Sequence, residues 1–211
     1  MTTLSWTFLA LAAVLSAVDW VAVARESAVL EYVSKPTATA ALLATAVSLD
    51  VVHDAPWGWR VAGLAFCILG DVFLMLPRDA FVPGLASFAV AQILFTISFA
   101  TGTTSGTRLV VGIVIAVMAA GVLARRFVRA MRSHGHGELV VPVVVYVVVI
   151  SAMAVAAIAG GSWVAIAGAV VFMASDSLIA ESRFVAARPW HPVGIMVTYY
   201  VALTGLVLGL L

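Results

Sequence analysis

Charge is what this sequence has least of. Only 10% of its 211 residues are Asp, Glu, Lys or Arg, 64% are hydrophobic, and the mean hydropathy is +1.17. A soluble domain carries about 25% charged residues, so a soluble globular protein is excluded and a polytopic membrane protein is expected. The single cysteine, Cys67, excludes an internal disulfide and a Cys-based zinc site. Asparagine is absent, and with it any N-glycosylation sequon. The net charge of +1 comes with no basic aromatic patch and no Gly-rich phosphate loop, so no nucleic-acid partner is expected. The opening stretch MTTLSWTFLALAAVLSAVDW lacks the basic region of a signal peptide and reads as a retained first span.

A helical span needs about 20 mostly apolar residues. Eight segments qualify, at about 4–24, 36–53, 58–77, 81–100, 108–124, 138–159, 162–180 and 191–211. The expected fold is therefore all-α, a single transmembrane domain over residues 1–211 with about eight helices. Gly and Pro punctuate the joints (DAPWGW, LPRD, TGTTSG, AGGS, ARPWHP), and only RRFVRAMRSHGHGE between spans five and six is long and charged.

Orientation follows from Lys and Arg. The connections after spans one, three, five and seven hold Arg25, Lys35, Arg78, Arg125, Arg126, Arg129, Arg132, Arg183 and Arg188; those after spans two, four and six hold Arg60 and Arg108. Nine against two predicts that both termini lie away from the cytoplasm, and a multi-pass protein of the bacterial inner membrane is expected. LGDVFLM in span three and ASDSLIA in span seven match as small-Asp-x-x-aliphatic-apolar, 105 residues apart, and Pro36 and Pro142 lie 106 apart. An offset of four spans preserves direction, so two parallel four-helix repeats are a possible origin.

Polar residues interrupt the apolar runs at one depth. Asp71 and Asp176 each lie near the inner end of an inward-running span, Lys35 opens span two on that side, and Asp19 sits at a similar level. Tyr146, Tyr199 and Tyr200 lie one to two turns further in, and Gln92 falls towards the middle of span four. An Asp at a helix centre costs about 2.5–3.5 kcal/mol on insertion scales and faces the bundle interior as a rule. The expectation is a polar cavity in the inner half of the bilayer, lined by Asp71, Asp176 and Lys35. Two carboxyl groups sharing one proton supply an acid and an anion at the same pH, the division of labour used in glycoside hydrolysis.

Other polar positions carry structural readings beside functional ones. Lys35 is the only lysine and fits an interface anchor as well as a phosphate or carboxylate partner. Cys67 reads as a small core residue, Asp19 as structural, and His134, His136 and Glu138 as a solvated turn. Gly205-x-x-x-Gly209 reads as close helix packing.

KP at 35–36, LGDVFLM at 69–75, FVPGLASF at 81–88, PVVVY at 142–146, GAVVFMASDSLIA at 168–180 and TYY at 198–200 together resemble the YhhN-like membrane proteins, the family that includes the lysoplasmalogenases. The resemblance runs from span two to span eight. It implies an eight-span hydrolase that cleaves the vinyl ether of a lysoplasmalogen, a lysophospholipid in the bilayer, to a fatty aldehyde and glycerophosphoethanolamine or glycerophosphocholine. It places the family acids on Asp71 and Asp176 and the family lysine on Lys35, with Tyr146, Tyr199, Tyr200 and Gln92 as substrate-binding candidates, and implies neither metal nor cofactor. Two positions depart from the family pattern: Gln92 stands where His is common, and Leu203 where Gln often follows the paired tyrosines. A small proton- or cation-coupled transporter is the alternative that two matched intramembrane acids would also suit.

Overall fold

Apolar runs that cannot reach water must close their backbone hydrogen bonds internally, and here they do so as helices. The structure, a computed structural model, describes residues 1–76 and 80–211. Pro77 and Arg78, which enter the reading of span three and of the charge bias, lie outside the described residues. Among the described residues there are eight α-helices and no strand: α1 (Thr3–Ala24), α2 (Ala28–Val47), α3 (Ala55–Met75), α4 (Phe81–Ala100), α5 (Gly106–Ser133), α6 (Val140–Gly160), α7 (Trp163–Phe184) and α8 (His191–Leu208). A single 3₁₀ turn, Gly137–Leu139, precedes α6.

The odd-numbered helices begin on side-chain caps. Thr2, Asp54, Ser105 and Ser162 each accept a hydrogen bond from a backbone N–H of the first turn, as Asp54 does from Trp57 at 3.0 Å. Such caps satisfy donors that the helix leaves open. α2, α4, α6 and α8 start without one.

Seven of the helices are long and apolar enough to cross a membrane, and the chain is a multi-pass membrane protein. α2 falls short because it carries Glu31 and Lys35 and has low mean hydropathy. Its position corrects the expected second span. The helix covers Ala28–Val47 instead of 36–53, so Pro36 lies inside it and Lys35 sits in its second turn, not at its start. α5 runs on to Ser133, so most of RRFVRAMRSHGHGE is helix and not loop. Phe127 and Met131, one turn apart, bury themselves there, and Arg125, Arg129 and Arg132 face outward. The turn after it is not simply solvated either, since the His136 ring meets the Phe184 ring edge-on at 6.0 Å.

The chain packs as four antiparallel hairpins, α1/α2, α3/α4, α5/α6 and α7/α8. α2 rests on α3 as α6 rests on α7; the two halves join where α4 meets α6 and where α8 meets α1 and α2. Phe95, Phe172, Leu42, Leu64, Met153 and Leu203 are among the side chains sealed in the core. α7 and α8 approach backbone to backbone: a Cβ on Gly205 would stand 2.8 Å from Gly168 Cα, and one on Gly168 would stand 2.8 Å from Leu206 N. That close seam fixes the level of Asp176 on α7 against Tyr199 and Tyr200 on α8.

Candidate functional site

Three of the four tyrosines donate to the three aspartates inside the bundle. Asp19 of α1, with no exposed surface, accepts from Tyr200 Oη at 2.9 Å on one oxygen and from Ser34 Oγ of α2 at 2.7 Å on the other. Asp71 of α3, 1% exposed, accepts at Oδ2 from Thr39 Oγ1 of α2 at 2.7 Å and from Tyr199 Oη of α8 at 2.8 Å. Asp176 of α7, half-buried, accepts from Tyr146 Oη of α6. A carboxylate in an apolar interior needs such donors, because an unpaired buried charge is costly.

The Tyr199 and Tyr200 rings lie 5.4 Å apart, so the Asp71 and Asp19 networks are neighbours. Tyr199 is also gripped edge-on by Phe88 at 6.0 Å and Phe172 at 5.8 Å, which fixes its hydroxyl on Asp71. Lys35 is 8% exposed and near enough for its charge to act on Asp71, yet no ion pair forms between them. Cys67, one turn before Asp71, is sealed in the core with no exposed surface.

An apolar cleft runs between α4, α5, α6 and α7, its walls including Phe88, Phe127, Ile150, Met173 and Phe184. Asp176 and Tyr146 are the acid and the phenol on its surface, joined by Ser151 and Ser177. Of the three residues expected to line one cavity, Asp176 lines this cleft. Asp71, Lys35, Tyr199, Tyr200 and Gln92 are buried and do not line this cleft; Thr39 and Tyr199 close over Asp71. At the loop end the Arg183 guanidinium lies 4.3 Å over the ring of Phe81, another wall residue, and Arg126 of α5 donates through Nε and Nη2 to Glu181 of α7 at 2.7 and 2.6 Å.

Gln92 is fully buried in α4, and neither its amide oxygen nor its amide nitrogen has a hydrogen-bond partner. It stands beside the Tyr146 hydroxyl but outside hydrogen-bond geometry. Its place follows a pattern. Asp71 draws on α2 and α8, and Asp176 draws on α6 with α4 adjacent, which are the corresponding helices of the two halves. Thr39 and Tyr146 are 107 residues apart, as are Gln92 and Tyr199, close to the 105 between the two aspartates. Gln92 therefore occupies in one half the position that Tyr199 occupies in the other.

Sequence reading missed Thr39 and Ser34; it set Asp19 at the level of the other polar residues and leaned to a structural role for it. Hydroxyls that bond back to their own helix are frequent here, as Thr37 and Thr45 do, and nothing but the one-turn spacing from Lys35 distinguishes Thr39.

No solved structure matches the chain. Among curated proteins it is 32% identical over 137 residues to the human lysoplasmalogenase TMEM86B, an alignment covering 64% of this chain and 55% of that protein. It is 32% identical over 167 residues to a lysoplasmalogenase of Mycobacterium bovis, covering 75% of this chain and 61% of that protein. The mouse lysoplasmalogenase TMEM86B is 30% identical over 164 residues, 74% of this chain and 67% of its own. The chain thus spans little more than half the length of the first two. The YhhN family profile matches residues 30–210, which takes in every helix from α3 to α8, most of α2 and all the site residues but Asp19, and the chain belongs to the YhhN family.

Proposed function

We propose that this protein hydrolyses the vinyl ether bond of a lysoplasmalogen drawn from the surrounding bilayer. The observation that carries the reading is the Asp176–Tyr146 pair on the wall of an otherwise apolar cleft, which suits an acid that must meet the head of an alkenyl chain. The names of the relatives support the same substrate class.

In this reading Asp176 is the proton donor. Its carboxyl proton goes to the β-carbon of the vinyl ether, the π electrons form the new C–H bond, and the ether oxygen shares a lone pair with the α-carbon to give an oxocarbenium ion. Water attacks that carbon and loses a proton to the Asp176 carboxylate. The hemiacetal hydroxyl then gives up its proton as the C–O bond to the glycerol oxygen breaks, that oxygen takes a proton in its place, and aldehyde and glycerophosphoethanolamine or glycerophosphocholine leave. General acid–base catalysis of this kind contributes about 10²–10⁴-fold. Asp71, accepting two hydroxyls and facing the charge of Lys35, serves as the fixed anion that favours the cationic intermediate. Tyr199 and Tyr200 hold the other two carboxylates. The membrane is the bacterial inner membrane, with both termini away from the cytoplasm and the cleft's loop end towards it.

The test is aldehyde release. Purified protein in detergent should convert a lysoplasmalogen to aldehyde and glycerophospho-alcohol in equal amounts and leave a saturated 1-alkyl lysophospholipid untouched. A proton- or cation-coupled transporter would release no aldehyde and would need a sealed vesicle to act. Absence of aldehyde from well-folded protein overturns the reading.

A further inference from the structure

Gln92 is the one glutamine of the chain, and it is buried with both amide atoms unpartnered. A buried amide without partners is costly to a fold, which calls for a compensating use. The half-site of Asp71 shows what the position does when its partner is in reach: there Tyr199 donates directly to the carboxylate. Gln92 takes that place in the half-site of Asp176 but lies behind Tyr146, which holds the carboxylate instead.

We propose that Gln92 is a positioning residue for the Asp176 proton transfer, its amide Nε2 donating to the Tyr146 phenol oxygen as Asp176 becomes a carboxylate. The inference rests on the hydrolase reading above. When Asp176 gives up its proton, the new negative charge draws the Tyr146 hydroxyl harder, and the phenol oxygen becomes a better acceptor. The amide beside it then closes the last gap in a chain running from Gln92 through Tyr146 to Asp176. Hydrogen bonds in such a chain polarise and strengthen one another. A contact that is poorly aligned in the resting protein and tightens as charge develops lowers the barrier, whereas a bond made equally in both would not. Catalytic hydrogen bonds are often misaligned before substrate arrives and tighten only afterwards. Gln92 touches neither substrate nor water in this scheme; it acts through Tyr146.

The test is Gln92→Met, close in shape and lacking the amide, alone and combined with Tyr146→Phe. In the parent background kcat should fall roughly tenfold, the rate equivalent of one buried hydrogen bond, with KM little changed. Thermal stability in detergent should hold or rise, because the resting protein loses an unpartnered buried amide. In the Tyr146→Phe background the same change should have no further effect. A Gln92→Met kcat within about twofold of the parent, well short of that loss, overturns the assignment. So does an equal fall in both backgrounds, since Gln92 would then act independently of Tyr146. A parent that releases no aldehyde removes the hydrolase reading and this inference together; an active parent with an insensitive Gln92 removes only the inference.

Discussion

Each buried carboxylate has its own phenol, and the three are unequal in what else they hold. Asp19 and Asp71 each take a second hydroxyl from α2, whereas Asp176 is held by Tyr146 and faces the cleft. In the proposed mechanism that inequality separates two acids which depth and motif treat alike. Asp176→Asn should abolish aldehyde release because an amide has no acidic proton to give, and Asp71→Asn should do so by removing the anion. Each loss should reach at least the 10²–10⁴-fold range of acid–base catalysis, with folded yield preserved because an amide is cheaper to bury than a carboxylate. Turnover of a lysoplasmalogen by each purified variant decides it: a folded variant keeping more than about a tenth of parental activity, a deficit below that range, is not missing a catalytic group. The positions of these acids were legible in the sequence because a charge in an apolar run stands out. Their pairings were not, since Tyr199 and Tyr200 lie 128 and 181 residues from the carboxylates they bind, and only the packing of α8 against α1, α2 and α3 brings them together.

Among the elements, α7 and α8 meet backbone to backbone. Gly168, Gly205 and Gly209 let the two backbones touch, and Ala165 fills the remaining contact. Packing of small residues is a principal source of helix affinity in lipid, where apolar burial drives little. Gly205→Val should therefore cost at least the 1–3 kcal/mol typical of overpacking, read as a lower melting temperature in detergent. Gly121→Ala on α5, where an added Cβ meets nothing within 4 Å, should leave it unchanged. Equal melting temperatures for the two variants would mean that the seam does not form. The GxxxG spacing announced this contact from sequence. The register of α2 was hidden for a physical reason: proline ordinarily marks a helix start, but inside a packed membrane bundle neighbouring groups take up the freed carbonyl and the helix continues through it. The charged end of α5 concealed a helix in the same way, its signal being the one-turn spacing of Phe127 and Met131 among the arginines.

For the whole molecule, the nine-to-two distribution of Lys and Arg predicts that both termini lie away from the cytoplasm. A reporter active only outside the cytoplasm, fused after Leu211, should be active, and one that fluoresces only inside should be dark; the reverse pattern would invert the topology and turn the loop end of the cleft outward. The repeat, visible in sequence as two aspartates and two prolines, becomes fuller in the folded chain through Thr39 with Tyr146 and Gln92 with Tyr199. Unlike residues fill those equivalent places, so no residue-by-residue match would have found them.

The joint between α5 and α6 gives this arrangement a genetic meaning. It separates Asp71, Thr39 and Gln92 from Tyr199, Tyr146 and Asp176, while the contacts of α4 with α6 and of α8 with α1 and α2 cross it. A gene divided at that joint would encode two fragments, neither holding a whole site: one has an acid without its phenol, the other an acid and its phenol without the amide behind them. Aldehyde release by the pair would then report their reassembly, because the proposed site draws on both halves and is complete in neither.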